Sequence, residues 1–467
     1  MGFLSENNIR FLNREGETRY ISRFIASPTS GVLGIHGPGG IGKTVLSWWT
    51  ADESSRQGLP YAYINLAHFP FTDSVDILRV IAEQLDPSHQ FVDFWESLSG
   101  YHTHFQSRFL SAQSKQTRAA ANLVQDRKAI IGAFIQGVRT LAGSEALVLV
   151  FDNLDAIGRP DRFSLEEELF VPLTEIPKVK IFGISRAQLQ WRDPVMDQRY
   201  HVLHLPPFEE DDAKDLTRLV WPELLEREAY LRALKVSRGH PYSVMRLARV
   251  GARHVNLSED QLYEVLLEEL WENVITRFML KGLSDTLQDL LFEISIVRFF
   301  DMSGFKFFSQ RMNVLPETPP SKMLALMDTM NYDVSAVQFD KVKKGYQLQP
   351  PIRPVSLELH RLSDALEALN QAALEFYQTY LEHLPPGFDE WRRCVIEMTY
   401  HQGVIGNKPD NAKNLLAHAL AQLRSAQALD SAFKLRDELD GDWDLPSAIW
   451  QDVFAYFEEQ ALRHNVA

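Results

Sequence analysis

Cysteine is almost absent from this chain. Cys394 is the one cysteine in 467 residues, so no intrachain disulfide can form. That scarcity fits a reducing, cytoplasmic setting. Basic charge is in deficit as well. Lysine and arginine number 48 against 62 aspartates and glutamates, a net charge of −14. A global basic footprint for nucleic acid or acidic lipid is thereby excluded, although a local patch is not. No run reaches the roughly 18 apolar residues that a transmembrane helix requires, which argues against a membrane partner. The opening "MGFLSENNIR" has neither the basic start nor the apolar core of a signal peptide. The tight histidine pairs, His102/His104 and His201/His204, have no cysteine or carboxylate at ligand spacing, so a zinc-type site is not expected.

What is present is an ordinary globular composition, 45% hydrophobic and 24% charged. At roughly 150 residues per domain the length suggests about three domains. Up to about residue 205, short β-branched runs alternate with helical stretches. The runs are "GVLGIHG", "YAYINLAHF", "ALVLVFDN", "VKIFGIS" and "YHVLHLP". They are apolar throughout rather than alternating, as strands buried on both faces are. The expected fold is therefore α/β, a parallel sheet with helices on both faces over residues 1–207, with a polar, helix-prone insert at about 86–144. A helical lid (208–283), a winged helix (284–354) and an α-helical, array-like region (355–467) should follow. Within the winged helix, Ser284 offers an N-cap to the first helix, and "SAVQFDKVKKGYQLQP" predicts the hairpin.

The chemistry concentrates in "GPGGIGKT", Gly37–Thr44, which fits the phosphate-loop pattern G-x-x-x-x-G-K-[ST] between a strand and a helix. Glycines let successive N–H groups converge on one anion, and the helix start adds partial positive charge. Lys43 is expected on the β and γ phosphates of ATP, and the Thr44 hydroxyl on Mg²⁺. The strand "ALVLVFD" ends in Asp152, where a P-loop enzyme needs a carboxylate for the Mg²⁺ shell. Fast P-loop ATPases commonly place a glutamate next. Here Asn153 follows, which cannot take a proton at neutral pH. Asp155 could orient water or cap the next helix. Arg186, closing "VKIFGISR" on a strand expected between the other two, could sense the γ-phosphate or lie on the surface.

Taken together these motifs resemble the STAND class of P-loop proteins, signal-transducing ATPases related to NB-ARC and NACHT modules. "FLNREGETRYI" (Phe11–Ile21) resembles the class's nucleotide-flanking segment, with Asn13 at its usual glycine. "GPGGIGKT" is a favoured form of its loop, and "FDNLD" resembles the magnesium strand of bacterial members. "SRGHPYSVMRLA" (Ser237–Ala248) resembles its G-x-P lid motif. The resemblance spans roughly residues 9–360. It implies nucleotide contacts from Arg14, from Gly37, Gly39, Gly40, Ile41, Gly42, Lys43, Thr44 and Val45, and from Gly239 and Pro241 of the lid. It also puts Gln349 of "GYQLQPPIR" where the class often has a histidine contacting ADP, with Arg353 as a possible substitute or a surface residue. It implies an ATP/ADP-controlled switch with slow Mg²⁺-dependent hydrolysis. An unknown protein trigger or effector and self-association in the ATP state complete that expectation. The alternative is a DNA-directed ATPase or transcriptional regulator whose wing lysines, Lys341, Lys343 and Lys344, touch phosphate.

Overall fold

The computed structural model describes residues 13–68, 74–109, 116–143, 145–315, 318–340, 344–426 and 428–440. Phe11, Lys341 and Lys343 lie outside these residues. The chain divides into two compact units. The first comprises Met1–Arg253 with Asn331–Ser335, and the second His254–Met330 with Ala336–Ala467.

The first unit is built on five strands, β1 (Gly31–His36), β2 (Tyr61–Asn65), β3 (Leu147–Asp152), β4 (Val179–Ser185) and β5 (Tyr200–His204). All five apolar runs of the sequence form strands, and all pair in parallel in the order β2-β3-β4-β1-β5. β4 separates β1 from β3, as expected for the strand ending in Arg186. Each strand sends alternate side chains to opposite faces. Leu147, Leu149 and Phe151 of β3 meet a core supplied by helices α3 (Ser74–Leu85), α4 (Val92–Phe109) and α5 (Gln116–Leu141). Val148 and Val150 meet Ile21, Phe24 and Leu46, from helices α1 (Glu15–Ala26) and α2 (Lys43–Arg56). Asp152, in step with Val148 and Val150, falls on the α2 side. The polar insert at 86–144 is thus α4 and α5, whose Phe94, Leu98, Ile130 and Phe134 join one layer of the domain core.

Past β5 come α6 (Glu210–Val220), α7 (Glu228–Val236) and α8 (Pro241–Gly251). Acidic residues Glu210, Asp211 and Asp212 open α6, where they favour the helix dipole. His240 caps α8 by accepting from the Ser243 N–H, and Pro241 occupies its first turn, where its missing N–H costs nothing.

In the second unit, α9 (Glu259–Glu268) starts with a reciprocal Ser258–Gln261 capping box. Helices α10 (Asp285–Ile294), α11 (Met302–Arg311) and α12 (Pro320–Asp328) precede an antiparallel hairpin, β6 (Val337–Asp340) with β7 (Gly345–Leu348). Ser284 stands at the start of α10, but its hydroxyl caps nothing. Asp301 is the working cap of this region, accepting from the N–H groups of Ser303 and Gly304. Among the described residues, five α-helices follow from Ile352 to Asp440. Cys394 is buried among them, its thiol pushed up to about 12 chiefly by burial. No helix among the described residues is long and apolar enough to cross a membrane.

Candidate nucleotide site

The C-terminal ends of the parallel strands carry the candidate residues. His36 of β1 is in register with Ser185 of β4 and with His204 of β5, and Asn65 of β2 is in register with Asp152 of β3. The glycine loop leaves β1 and turns into α2 through Gly42, whose φ of +102° suits glycine and few other residues. The loop's carbonyls are held from several sides. Lys43 Nζ donates to Gly37 O at 2.7 Å and Pro38 O at 2.8 Å. Arg14 donates to Ile41 O at 3.1 Å. His240 Nε2 lies 2.6 Å from Gly39 O, and the Tyr242 N–H donates to Gly40 O at 3.3 Å. The N–H groups of Gly37 and Ile41 are also engaged, by Arg186 O at 3.1 Å and Pro38 O at 3.4 Å, so the loop's other N–H groups are the ones that would serve as a phosphate cradle.

Asp152 is fully buried at the end of β3. Its Oδ1 accepts from the Asn153 N–H at 2.9 Å, and its Oδ2 from the Tyr63 hydroxyl at 2.9 Å. Burial raises its pKa, while bonds from Tyr63 and Thr44 oppose that rise. A glycine-rich loop joins β1 to a helix carrying Lys43 and Thr44, and a carboxylate two strands away ends β3 beside that threonine.

This is the P-loop NTPase fold.

No protein-family model matches the chain, and no curated protein is similar to it. Among solved structures it is similar to Drosophila ORC bound to DNA, at 14% identity and a TM-score of 0.34, over 76% of this chain and 96% of that one. It is also similar to Cdc6p from Pyrobaculum aerophilum, at 12% identity and 0.34, over 76% and 96%. A third is the RuvB Holliday junction branch migration motor of Thermotoga maritima, at 14% and 0.35, over 76% and 95%. Likenesses this distant carry no argument, and the fold rests on the strand order and the loop geometry above.

Around the P-loop the electrostatics are uneven. Burial draws Lys43 down to about 8, with Asp155 pulling it up, Arg186 down and Asp152 up. Thr44 and Asp152 fit a Mg²⁺ ion, since hydroxyl and carboxylate adjoin and both are hard oxygen donors. Asp155 neither caps a helix nor stands alone. It accepts from the Arg186 N–H at 3.0 Å and faces Arg186 Nε at 3.4 Å. The Arg186 carbonyl in turn accepts from the Gly37 N–H at 3.1 Å, so this arginine is fastened to the P-loop. Asn153 adopts the left-handed conformation, φ +59° and ψ +46°, and its amide donates to Asn65 Oδ1 at 2.9 Å.

The flanking segment also converges here. Arg14 is buried, pairs with Glu17 at 2.9 Å and stacks 4.7 Å from the centre of the Phe208 ring, while Asn13 donates to Asp212 at 2.7 Å. Gly239 sits at φ +69°, and a Cβ there would fall 1.9 Å from Phe208 O. Val45 is half-buried in the first turn of α2.

Gln349 belongs to the second unit, where its amide donates to Gln338 Oε1 at 3.3 Å and its N–H to Ala336 O at 3.0 Å. Arg353 is neither a surface residue nor a free phosphate ligand. It donates to the carbonyls of Val297 and Ile296 and to the Tyr400 hydroxyl at 3.1 Å, filling carbonyl positions after α10. Lys344 lies 3.5 Å from Glu390.

Sequence reasoning missed Tyr63, Asn65 and His240. The first two become visible only through strand register. His240 stood inside the lid motif, between the two residues that were singled out.

Proposed function

We propose that this chain is an ATP/ADP-controlled switch of the STAND class, with slow Mg²⁺-dependent hydrolysis and self-association in its ATP state. The observation that carries the reading is the contact between His240 and Gly39. The lid and the phosphate loop share a hydrogen bond, so any change in loop geometry between ADP and ATP reaches the lid directly. Such a device needs only that its two conformations differ in affinity for the two nucleotides. Lys43 and the loop N–H groups would hold the phosphates. Mg²⁺, when bound, would neutralise phosphate charge, with Thr44 and Asp152 holding its shell. Asn153 supports slow turnover, because a neutral amide cannot take a proton from water. A persistent ATP state is what a signal needs.

The test is the nucleotide that co-purifies, followed by the mass in solution with ADP and with ATP. A rise in mass with ATP alone supports the switch. Equal affinity for both nucleotides and an unchanged mass would sink it, and salt-dependent retention on DNA would favour a DNA-directed ATPase.

A further inference from the structure

The magnesium carboxylate has a partner that none of the motifs announces. Tyr63 is on β2, two residues before Asn65, and Asn65 is the register partner of Asp152. The Tyr63 hydroxyl lies 2.9 Å from Asp152 Oδ2. The same oxygen is 3.0 Å from Trp48 Nε1, in the second turn of α2. An indole N–H can only donate, and an ionised carboxylate can only accept. The hydroxyl therefore accepts from Trp48 and has one proton to give, which goes to Asp152. Ser47, next to Trp48, donates to Thr44 O at 2.8 Å and reaches Asp152 Oδ2 at 3.5 Å.

We propose that Tyr63 is a positioning residue for the magnesium site, with its donor direction fixed by Trp48. The inference rests on the reading of Asp152 as the Mg²⁺ carboxylate. Oδ1 is fastened to the Asn153 N–H and Oδ2 to Tyr63. With both oxygens held, the carboxylate plane cannot rotate, and its remaining lone pairs stay directed at the Thr44 side. Without the Tyr63 proton, Asp152 keeps the Asn153 N–H, the Thr44 hydroxyl and the long Ser47 contact but loses the bond that fixes Oδ2 from the β2 side, and the carboxylate gains freedom it must lose again to order a Mg²⁺ shell. Partners of this kind commonly change metal affinity by about ten- to a hundredfold when removed.

The experiment measures nucleotide affinity of the full chain across a Mg²⁺ titration and again in excess chelator. Tyr63→Phe should raise the Mg²⁺ concentration for half-maximal tightening by about tenfold. Affinity in chelator should stay within about twofold of wild type, because the Tyr63 hydroxyl is committed to Asp152 and Trp48. Trp48→Phe should shift the Mg²⁺ midpoint the same way by less, since the hydroxyl keeps its proton but loses its fixed direction. The double variant removes the stranded indole N–H. It should recover thermal stability while keeping the Tyr63→Phe midpoint. An unmoved midpoint in Tyr63→Phe overturns the proposal. So does an equal loss of affinity with and without Mg²⁺, which marks a purely structural tyrosine. Asp152→Ala separates the two levels. If it leaves the Mg²⁺ dependence intact, the reading of Asp152 fails. If it abolishes the dependence while Tyr63→Phe changes nothing, only the inference about Tyr63 fails.

Discussion

His240 Nε2 donates across 2.6 Å to the carbonyl of Gly39, while its Nδ1 lies 2.8 Å from Ser243 Oγ and accepts from the Ser243 N–H. A carbonyl only accepts, so Nε2 carries the proton and the ring is neutral. Burial pulls this histidine down to about 4. In the unfolded chain it titrates near 6.5. Between those values the unfolded state binds the extra proton, so stability rises with pH from about 4 to about 6.5 and is flat above. The contribution lost on acidification is about 3 kcal/mol. His36, also drawn down to about 4 by burial and then by His204 and Lys43, acts in the same window. His240→Ala should flatten the His240 part of that profile. It should also cost about 1–3 kcal/mol at pH 7 by leaving Gly39 O without its donor. Urea midpoints at several pH values check both, and an unchanged slope would remove His240 from the acid response.

Nucleotide affinity should fall above pH 8. Lys43 is drawn down to about 8 before phosphate arrives. Phosphate charge favours the ammonium, so binding above that pH takes up a proton and costs up to about tenfold in affinity per pH unit. Calorimetry in two buffers of different ionisation heat will show the proton. Lys43→Ala should abolish both tight binding and the uptake. Proton uptake that persists in that variant would assign it to another group.

The left-handed backbone at Asn153 reshapes the test of slow hydrolysis. Turnover should sit well below the enzyme median of about 10 s⁻¹. Glutamate at φ +59° carries about 1–2 kcal/mol of strain that asparagine and aspartate tolerate better, and it loses the bond to Asn65. Asn153→Glu should therefore melt lower than wild type, whereas Asn153→Asp avoids the backbone strain and adds a carboxylate, though it too gives up the donor to Asn65 Oδ1. Single-turnover hydrolysis should quicken in the aspartate variant. No gain there, with wild type already turning over several times a second, would show that Asn153 does not set the rate.

The sheet was legible because its central strands β1, β3 and β4 are buried on both faces and so read as unbroken apolar runs; the edge strands β2, which alternates, and β5, which is largely exposed, depart from that pattern. The phosphate loop was legible because glycine spacing has few other uses before a helix. Tyr63 and Asn65 were not, because their meaning lies in the pairing of β2 with β3, which no local pattern encodes. The stretch at 86–144 looked like an unexplained insert because amphipathic helices carry their polar residues in view and their core residues, such as Phe94 and Phe134, dispersed among them. Arg353 was open to two readings, a substitute for the histidine contact or a surface residue. Its place among the Ile296 and Val297 carbonyls depends on how a helix end is met by a segment about 55 residues later, which sequence spacing does not show.

Gly239 offers a test of the lid apart from its chemistry. Alanine there would meet Phe208 O at 1.9 Å and bear a φ of +69°. Either alone is unfavourable, and the backbone of Phe208, which also donates to Gly239 O at 2.9 Å, cannot retreat without breaking that bond. The lid must therefore shift away from the segment that carries Phe208, over which Arg14 stacks. Gly239→Ala should weaken ADP and ATP binding together, since the loss lies in the shared lid and not in a phosphate-specific contact. His240→Gln gives the contrast. It keeps a neutral donor that can reach Gly39 O while leaving Gly239 as it is. Its nucleotide affinity should fall less than that of Gly239→Ala, and the ratio of ADP to ATP affinity should change more, because the donor now meets the loop at a different angle. Full nucleotide affinity in Gly239→Ala would mean the lid does not cover the nucleotide. If neither substitution alters ADP binding, the P-loop holds nucleotide without reporting its identity, and a signalling role for this chain is lost.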